Sequence, residues 1–311
     1  MRNHFLRAGR VANLPSDSGG GSSIVDTDLY VHYDFSDTNC WNRNNSTNAA
    51  DYTVHNLAND YNDAVFRSRD ASGTCYQNSS ASPVINFDSS DGGGCLELDS
   101  SQNTANDDDC LLAIPGTDTS TSCSNRAKNL STVTGTNNLL NGVDTGAFTF
   151  ELWYRVEFSA SYRGNVYAYP LRMYHNSSTY WNVDNLKLQL WDLGASNNQA
   201  GKVDNDYPMN TSYSVIGGPS SGIDWSDWNH LVYSRNSSST NDTKVYVNNS
   251  LDETHTDNID YPSLKYLFFF PHSSSSRINL KYGIFRFYRG KALTSSEVTT
   301  NWNAQKSRFG H

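Results

Sequence analysis

The sequence predicts an all-β fold, a sandwich or barrel with long loops, and three observations carry that prediction. The 311 residues include 42 Ser and 36 Asn but only 8 Lys and 5 Glu, so good helix formers are scarce and turn residues abundant. The 19 Tyr, 13 Phe and 7 Trp supply enough apolar volume for a packed core, which argues against wholesale disorder. Short alternating runs recur between Asn, Ser and Gly turns, the spacing expected of a sandwich. The same composition argues against a helical bundle and a doubly wound α/β enzyme.

The first 25 residues stand apart from this pattern. Phe5 and Leu6 lie among Arg2, Arg7 and Arg10, and Asp17-Ser-Gly-Gly-Gly-Ser-Ser23 follows as a flexible linker by composition. The arm reads either as a disordered tail or as a docking peptide that orders on a partner, with Phe5, Leu6, Arg7 and Arg10 as its attachment residues. Its basic residues precede no apolar stretch, so it is not read as a secretory signal peptide.

The sandwich is expected to span residues 26–311. Leu29 to Phe35 reads as its opening strand. The clearest alternation is Phe148 to Phe158. It places Phe148, Phe150, Leu152, Tyr154, Val156 and Phe158 on one face and Thr149, Glu151, Trp153, Arg155 and Glu157 on the other. Leu186 to Leu190 alternates as well. Trp228 to Ser234 and Thr243 to Val247 read as two further strands, and Asn248-Asn249 suits a tight turn with positive φ. Ile278 to Tyr288 is the last long strand. Thr294-Ser-Ser-Glu297 is a capping box that starts one short C-terminal helix, in which Val298 and Trp302 fall one turn apart and are expected to seal one end of the sandwich.

The net charge of −9 comes mostly from Asp, and with no basic stripe the chain is a poor nucleic-acid binder. No apolar stretch is long enough to span a membrane as a helix. The five cysteines, Cys40, Cys75, Cys95, Cys110 and Cys123, form neither a zinc spacing nor an even disulfide set. They read as reduced buried thiols, or as a Cys95–Cys110 pair with the others free.

Trp225-Ser-Asp-Trp-Asn-His-Leu-Val-Tyr233, followed by Lys244-Val-Tyr-Val-Asn-Asn249, resembles the hairpin of LamG-like domains in the concanavalin A-like lectin/glucanase superfamily. Ile284 to Val298 and Asn301 to Gly310 are similar to that family's closing strand and helix, in the version found in structural proteins of marine tailed phages. Phe148 to Tyr154 and Tyr30 to Phe35 match two more of its strands, and the likeness is loose over residues 36–146. The resemblance implies a jelly-roll sandwich of two antiparallel sheets, one of them curved.

That superfamily includes glycoside hydrolases, so a carboxylate pair is the first chemistry to seek. A retaining glycosidase needs two carboxyl groups about 5–5.5 Å apart. Glu97-Leu-Asp99 resembles the start of a laminarinase-type signature, but Ser100 to Asn103 supply no second glutamate. Glu151 and Glu157 share a strand face yet lie roughly 20 Å apart along it. His230 is expected to be a packed structural residue, and no G-x-S-x-G or H-E-x-x-H spacing occurs. Asp107, Asp108 and Asp109 offer hard oxygen ligands for calcium, or form a solvated acidic loop. Tyr167, Tyr169, Tyr174, Tyr180 and Trp181 crowd one polar segment, where they either stack on sugar C–H faces or fill the core.

Three functions compete. The first is a non-enzymatic virion structural protein on a capsid or tail, anchored to other virion proteins through residues 1–25 and displaying its sandwich at the virion surface, where it binds host glycans. The second is a cellular surface adhesin or glycan-binding module. The third, a glycoside hydrolase, is disfavoured by the missing glutamate.

Overall fold

The computed structural model describes residues 23–41, 53–59, 63–69, 75–77, 85–99, 110–113, 146–158, 167–174, 185–192, 199–205, 213–216, 223–237, 242–255, 266–270 and 278–311. Its strands begin with β1 (Leu29–Asp34), β2 (Thr53–Val54), β3 (Ala64–Arg69), β4 (Cys75–Gln77), β5 (Ile85–Asp88) and β6 (Cys95–Asp99). Next come β7 (Cys110–Ala113), β8 (Phe148–Phe158), β9 (Tyr167–Tyr174), β10 (Asn185–Asp192), β11 (Gln199–Asn205) and β12 (Tyr213–Ile216). The last are β13 (Asn229–Arg235), β14 (Thr243–Val247), β15 (Ser250–His255), β16 (Tyr266–Phe270) and β17 (Ile278–Arg289), followed by α1 (Ser295–Gln305) and a 3₁₀ turn, Lys306–Phe309.

Among the described residues these strands make two antiparallel sheets. The first runs β15-β14-β13-β8-β17-β6-β5, with β1 also on β17. The second runs β12-β11-β10-β9-β16-β7-β3-β2, with β4 on β3. β17 serves two partners along one edge: Asn279 to Tyr282 pair with β6, and Ile284 to Tyr288 with β1. The change-over falls at Gly283, whose carbonyl accepts a bond from Phe35 N at 3.0 Å. The register against β8 slips there, so the buried inward residues change from Leu280 and Tyr282 to Phe285 and Phe287. An extra residue in one strand resets the face that its side chains present.

The core lies between the sheets. Phe148, Phe150, Leu152, Tyr154 and Val156 of β8 pack with Leu231 and Tyr233 of β13 and with Val54, Ala64 and Leu171 of the second sheet. The predicted alternation on β8 holds. The Phe150 and Tyr233 rings stack at 5.2 Å across the strand pair.

The opposite face of β8 is also buried. Thr149, Glu151 and Trp153 are all fully covered. Their cover is α1, which lies across the outer face of the first sheet and does not seal an end of the sandwich. The physical reason is apolar surface: Val232, Tyr246 and Tyr288 point outward and pack with Leu293 and Val298, while Trp153 stacks on Trp302 at 5.2 Å and on Phe309 at 4.3 Å. The capping box forms as expected: Thr294 Oγ1 accepts from Glu297 N at 3.3 Å, and Glu297 Oε2 accepts from Thr294 N at 2.9 Å. Beyond the helix, Arg308 ties the tail down. Its Nη1 donates to both Asp34 oxygens at 2.9 and 2.8 Å, while Nε and Nη2 donate to the Gly92 and Gly94 carbonyls.

Asn248 and Asn249 form the predicted tight turn, with φ of 49° and 67° between the paired Val247 and Ser250. Cys40 and Cys95 are free, buried thiols, so the Cys95–Cys110 disulfide is not made. No helix among the described residues is long and apolar enough to cross a membrane.

Candidate functional site

The residues singled out in the sequence are dispersed. Tyr167, Tyr169 and Tyr174 lie on β9 in the second sheet, with Tyr174 opposite Asn185 and Tyr266. Tyr180, Trp181, Asp107, Asp108 and Asp109 lie outside the described residues, as do Phe5, Leu6, Arg7 and Arg10. Glu97 sits on β6 between Asn86 and Lys281.

Two charged clusters occupy the outer face of the first sheet. In one, Glu151 Oε1 accepts from His230 Nε2 at 2.9 Å and Arg286 Nη1 at 2.7 Å, and Oε2 accepts from Asn301 Nδ2 at 2.6 Å. Burial alone would raise Glu151, but Arg286 and His230 outweigh it and pull the carboxyl down to about 2. His230 is thus packed and structural, as expected.

In the other, Lys281 Nζ meets Asp88 at 2.9 Å, Glu157 at 2.9 Å and Asp91 at 3.2 Å. A search along single strands misses this grouping, because its carboxylates come from a loop and two different strands. Ser90 and Lys281 hold Asp88 well below the usual carboxylate range. Burial would raise Asp91, but Trp228, Lys281 and Arg155 outweigh it and lower its carboxyl. A glycosidase acid needs the reverse, a carboxyl raised so that it carries a proton near neutrality. Asp88 and Asp91 are arranged to remain ionised and paired.

A third arrangement is open to solvent. A cleft of about 350 Å³ lies between the loop that enters β13 and the β14–β15 turn. Its lining includes Asp224, Asp227, Asn229, Asn248, Ser250 and Asp252, with Trp228 and His311 also contributing. The loop is stiff for local reasons. Asp224 Oδ1 accepts from Ser226 N at 2.8 Å and from its hydroxyl at 2.6 Å, an Asx turn. Asn229 Nδ2 donates to the Asp224 and Asp227 carbonyls, each at 2.8 Å.

An amide clasp then joins loop to turn. Asn248 Nδ2 donates to Asn229 Oδ1 at 2.9 Å, and Asn248 Oδ1 accepts from His230 N at 2.9 Å. Trp228 is anchored from behind by Nε1, which donates to Asp91 at 2.7 Å, and His311 Nε2 donates to the Trp228 carbonyl at 2.7 Å. Burial and then the Asp252 charge raise the Glu253 carboxyl above its ordinary value.

The sequence had marked these stretches as a hairpin signature, not as a site. The missed signal is the Asp/Asn bias on both sides of the hairpin. Antiparallel pairing of Leu231 with Val247 brings the start of β13 beside the end of β14, so both biased stretches meet. Among the described residues no group of three His, Cys, Asp or Glu side chains is placed to hold a metal ion.

No family model and no curated protein matches the chain. Solved structures do. The chain is similar to botulinum neurotoxin type C, whose cell entry depends on interaction with two ganglioside molecules, at 12% identity and a TM-score of 0.51, covering 90% of this chain and 52% of that one. It is similar to the binding domain of botulinum neurotoxin DC in complex with rat synaptotagmin II, at 11% identity and a TM-score of 0.52, covering 90% and 52%. Trypanosoma rangeli sialidase matches at 12% identity and a TM-score of 0.51, covering 96% of this chain and 36% of that one. The chain spans about half the length of the neurotoxin structures it matches and about a third of the sialidase. At these identities the likeness establishes the fold alone: a β-sandwich of two antiparallel sheets with one short C-terminal helix.

Proposed function

We propose that this chain is a non-enzymatic glycan-binding sandwich and that the cleft beside the β14–β15 turn is where the sugar sits. One observation carries the reading: carboxylates, amides and the Ser250 hydroxyl line an open cleft whose walls are locked in place before any ligand arrives. Preorganised polar groups reduce the entropy lost on binding, which weakly bound sugars need most. Interaction with gangliosides by a toxin of the same fold supports the reading. So does the pairing of Asp88 and Asp91 with Lys281, since carboxyls held low are poorly suited to donate a proton in hydrolysis.

The finer reading places the protein at the surface of a virion, held to capsid or tail by residues 1–25 through Phe5, Leu6, Arg7 and Arg10. The resemblance of residues 225–310 to phage structural proteins supports it. Repeated copies on one particle would turn weak single-site binding into avidity.

A glycan array probed with the full chain, beside Asp227→Ala and Ser250→Trp, tests the site. Binding should fall at least tenfold in both variants, with no reducing sugar released by any of the three proteins. Equal binding by all three would remove the cleft from consideration.

A further inference from the structure

We propose that the cleft selects uncharged, hydroxyl-rich sugars and rejects sugars that carry a carboxylate, such as sialylated chains. This rests on the glycan-binding reading and narrows it to a substrate class. The basis is an inventory of hydrogen-bond donors and acceptors.

Both amide donors of Asn229 and one of the two on Asn248 are committed elsewhere. Asn229 Nδ2 is bound to two backbone carbonyls, and Asn248 Nδ2 to Asn229 Oδ1. His311 commits its Nε2 donor to the Trp228 carbonyl. The carboxylates supply acceptors in excess. Asp224 uses one oxygen on Ser226, and the exposed Asp227 carboxylate has no partner among the described residues. Each ionised carboxylate offers about four acceptor sites and no donor.

Such a wall fits a ligand that donates, and a sugar hydroxyl does. A ligand carboxylate only accepts, so Asp224 and Asp227 would offer it no donor. Cations do not relieve this. No Lys or Arg lines the cleft among the described residues. The basic groups behind its floor are occupied as well: Arg155 and Lys281 lie on Asp91, and Arg308 on Asp34. Asp224 and Asp227 therefore act on an incoming anion with like charge, an effect that weakens with salt.

The experiment uses the full chain and matched pairs of galactose-terminated glycans, bare and sialylated, at roughly 50 mM and 500 mM NaCl. The expected result is binding of the bare glycan, with the sialylated partner at least tenfold weaker at low salt. The gap should narrow at high salt and in Asp227→Asn, which removes one charge and adds donors. Equal or tighter binding of the sialylated partner at low salt would overturn the selectivity while leaving glycan binding in place. If neither member binds and no glycan on a wider array binds either, the glycan-binding reading falls and this inference with it. A gap unchanged by both salt and Asp227→Asn would also overturn the proposal, since the discrimination would then arise outside this cleft.

Discussion

Replacing Glu151 by Gln keeps the shape of the side chain and removes its charge. Glu151 and Arg286 are both fully buried and in contact at 2.7 Å. Leaving one charge of such a pair without its partner costs about 3–5 kcal/mol. The lowered carboxyl leads to a similar figure. The Glu151 carboxyl lies at about 2 in the folded protein against an ordinary 4.5. A shift of that size corresponds to about 3 kcal/mol of folding stability.

Because the folded value is depressed, that stabilisation is fully present above pH 4.5 and is lost as pH falls toward 2. Urea unfolding at pH 7 should therefore place Glu151→Gln about 3–5 kcal/mol below the wild type, and the difference should close between pH 4.5 and 2. Asp34, Asp88 and Asp91 are also held low, but they are common to both proteins and cancel in the comparison. A double change, Glu151→Leu with Arg286→Met, should recover most of the loss because both charges leave together. A penalty under about 1 kcal/mol at pH 7, or a difference that stays constant down to pH 2, would refute the assignment of Glu151 as the counter-ion of Arg286.

Arg308→Ala removes the clasp on Asp34 and on the Gly92 and Gly94 carbonyls. It should cost about 2 kcal/mol and speed carboxypeptidase trimming of the tail, whereas unchanged trimming would mean that Phe309 packing holds the tail alone. Gly283→Ala puts a methyl group into the Phe309 ring; a loss of about 1–3 kcal/mol in thermal unfolding is expected, and a neutral result would show that the ring moves aside freely. Burial pushes the Cys95 thiol up to about 12 and the Cys40 thiol well above its ordinary value. Peptide mapping after alkylation at pH 8 should find both unlabelled in the native protein and labelled after unfolding.

The sequence by itself determined the elements whose causes are local. Alternation in β8, the positive-φ turn at Asn248-Asn249 and the capping box at Thr294 each depend on residues a few positions apart, so their chemistry is visible in a short window. Much of the second sheet, β2 to β4, β7, β11, β12 and β16, was not legible, since short strands between long polar stretches carry little periodic signal.

Only the tertiary structure decided what meets what. Glu151 and Trp153 alternate as an outward face should, yet the helix 150 residues later buries both, and nothing near them in the chain announces that cover. Gly283 reverses which residues of β17 face the core through a slip against β8 that no single-strand pattern contains. The cleft exists because two Asp/Asn-rich stretches on neighbouring strands are set side by side by antiparallel pairing, a contact written in the register and not in either stretch alone.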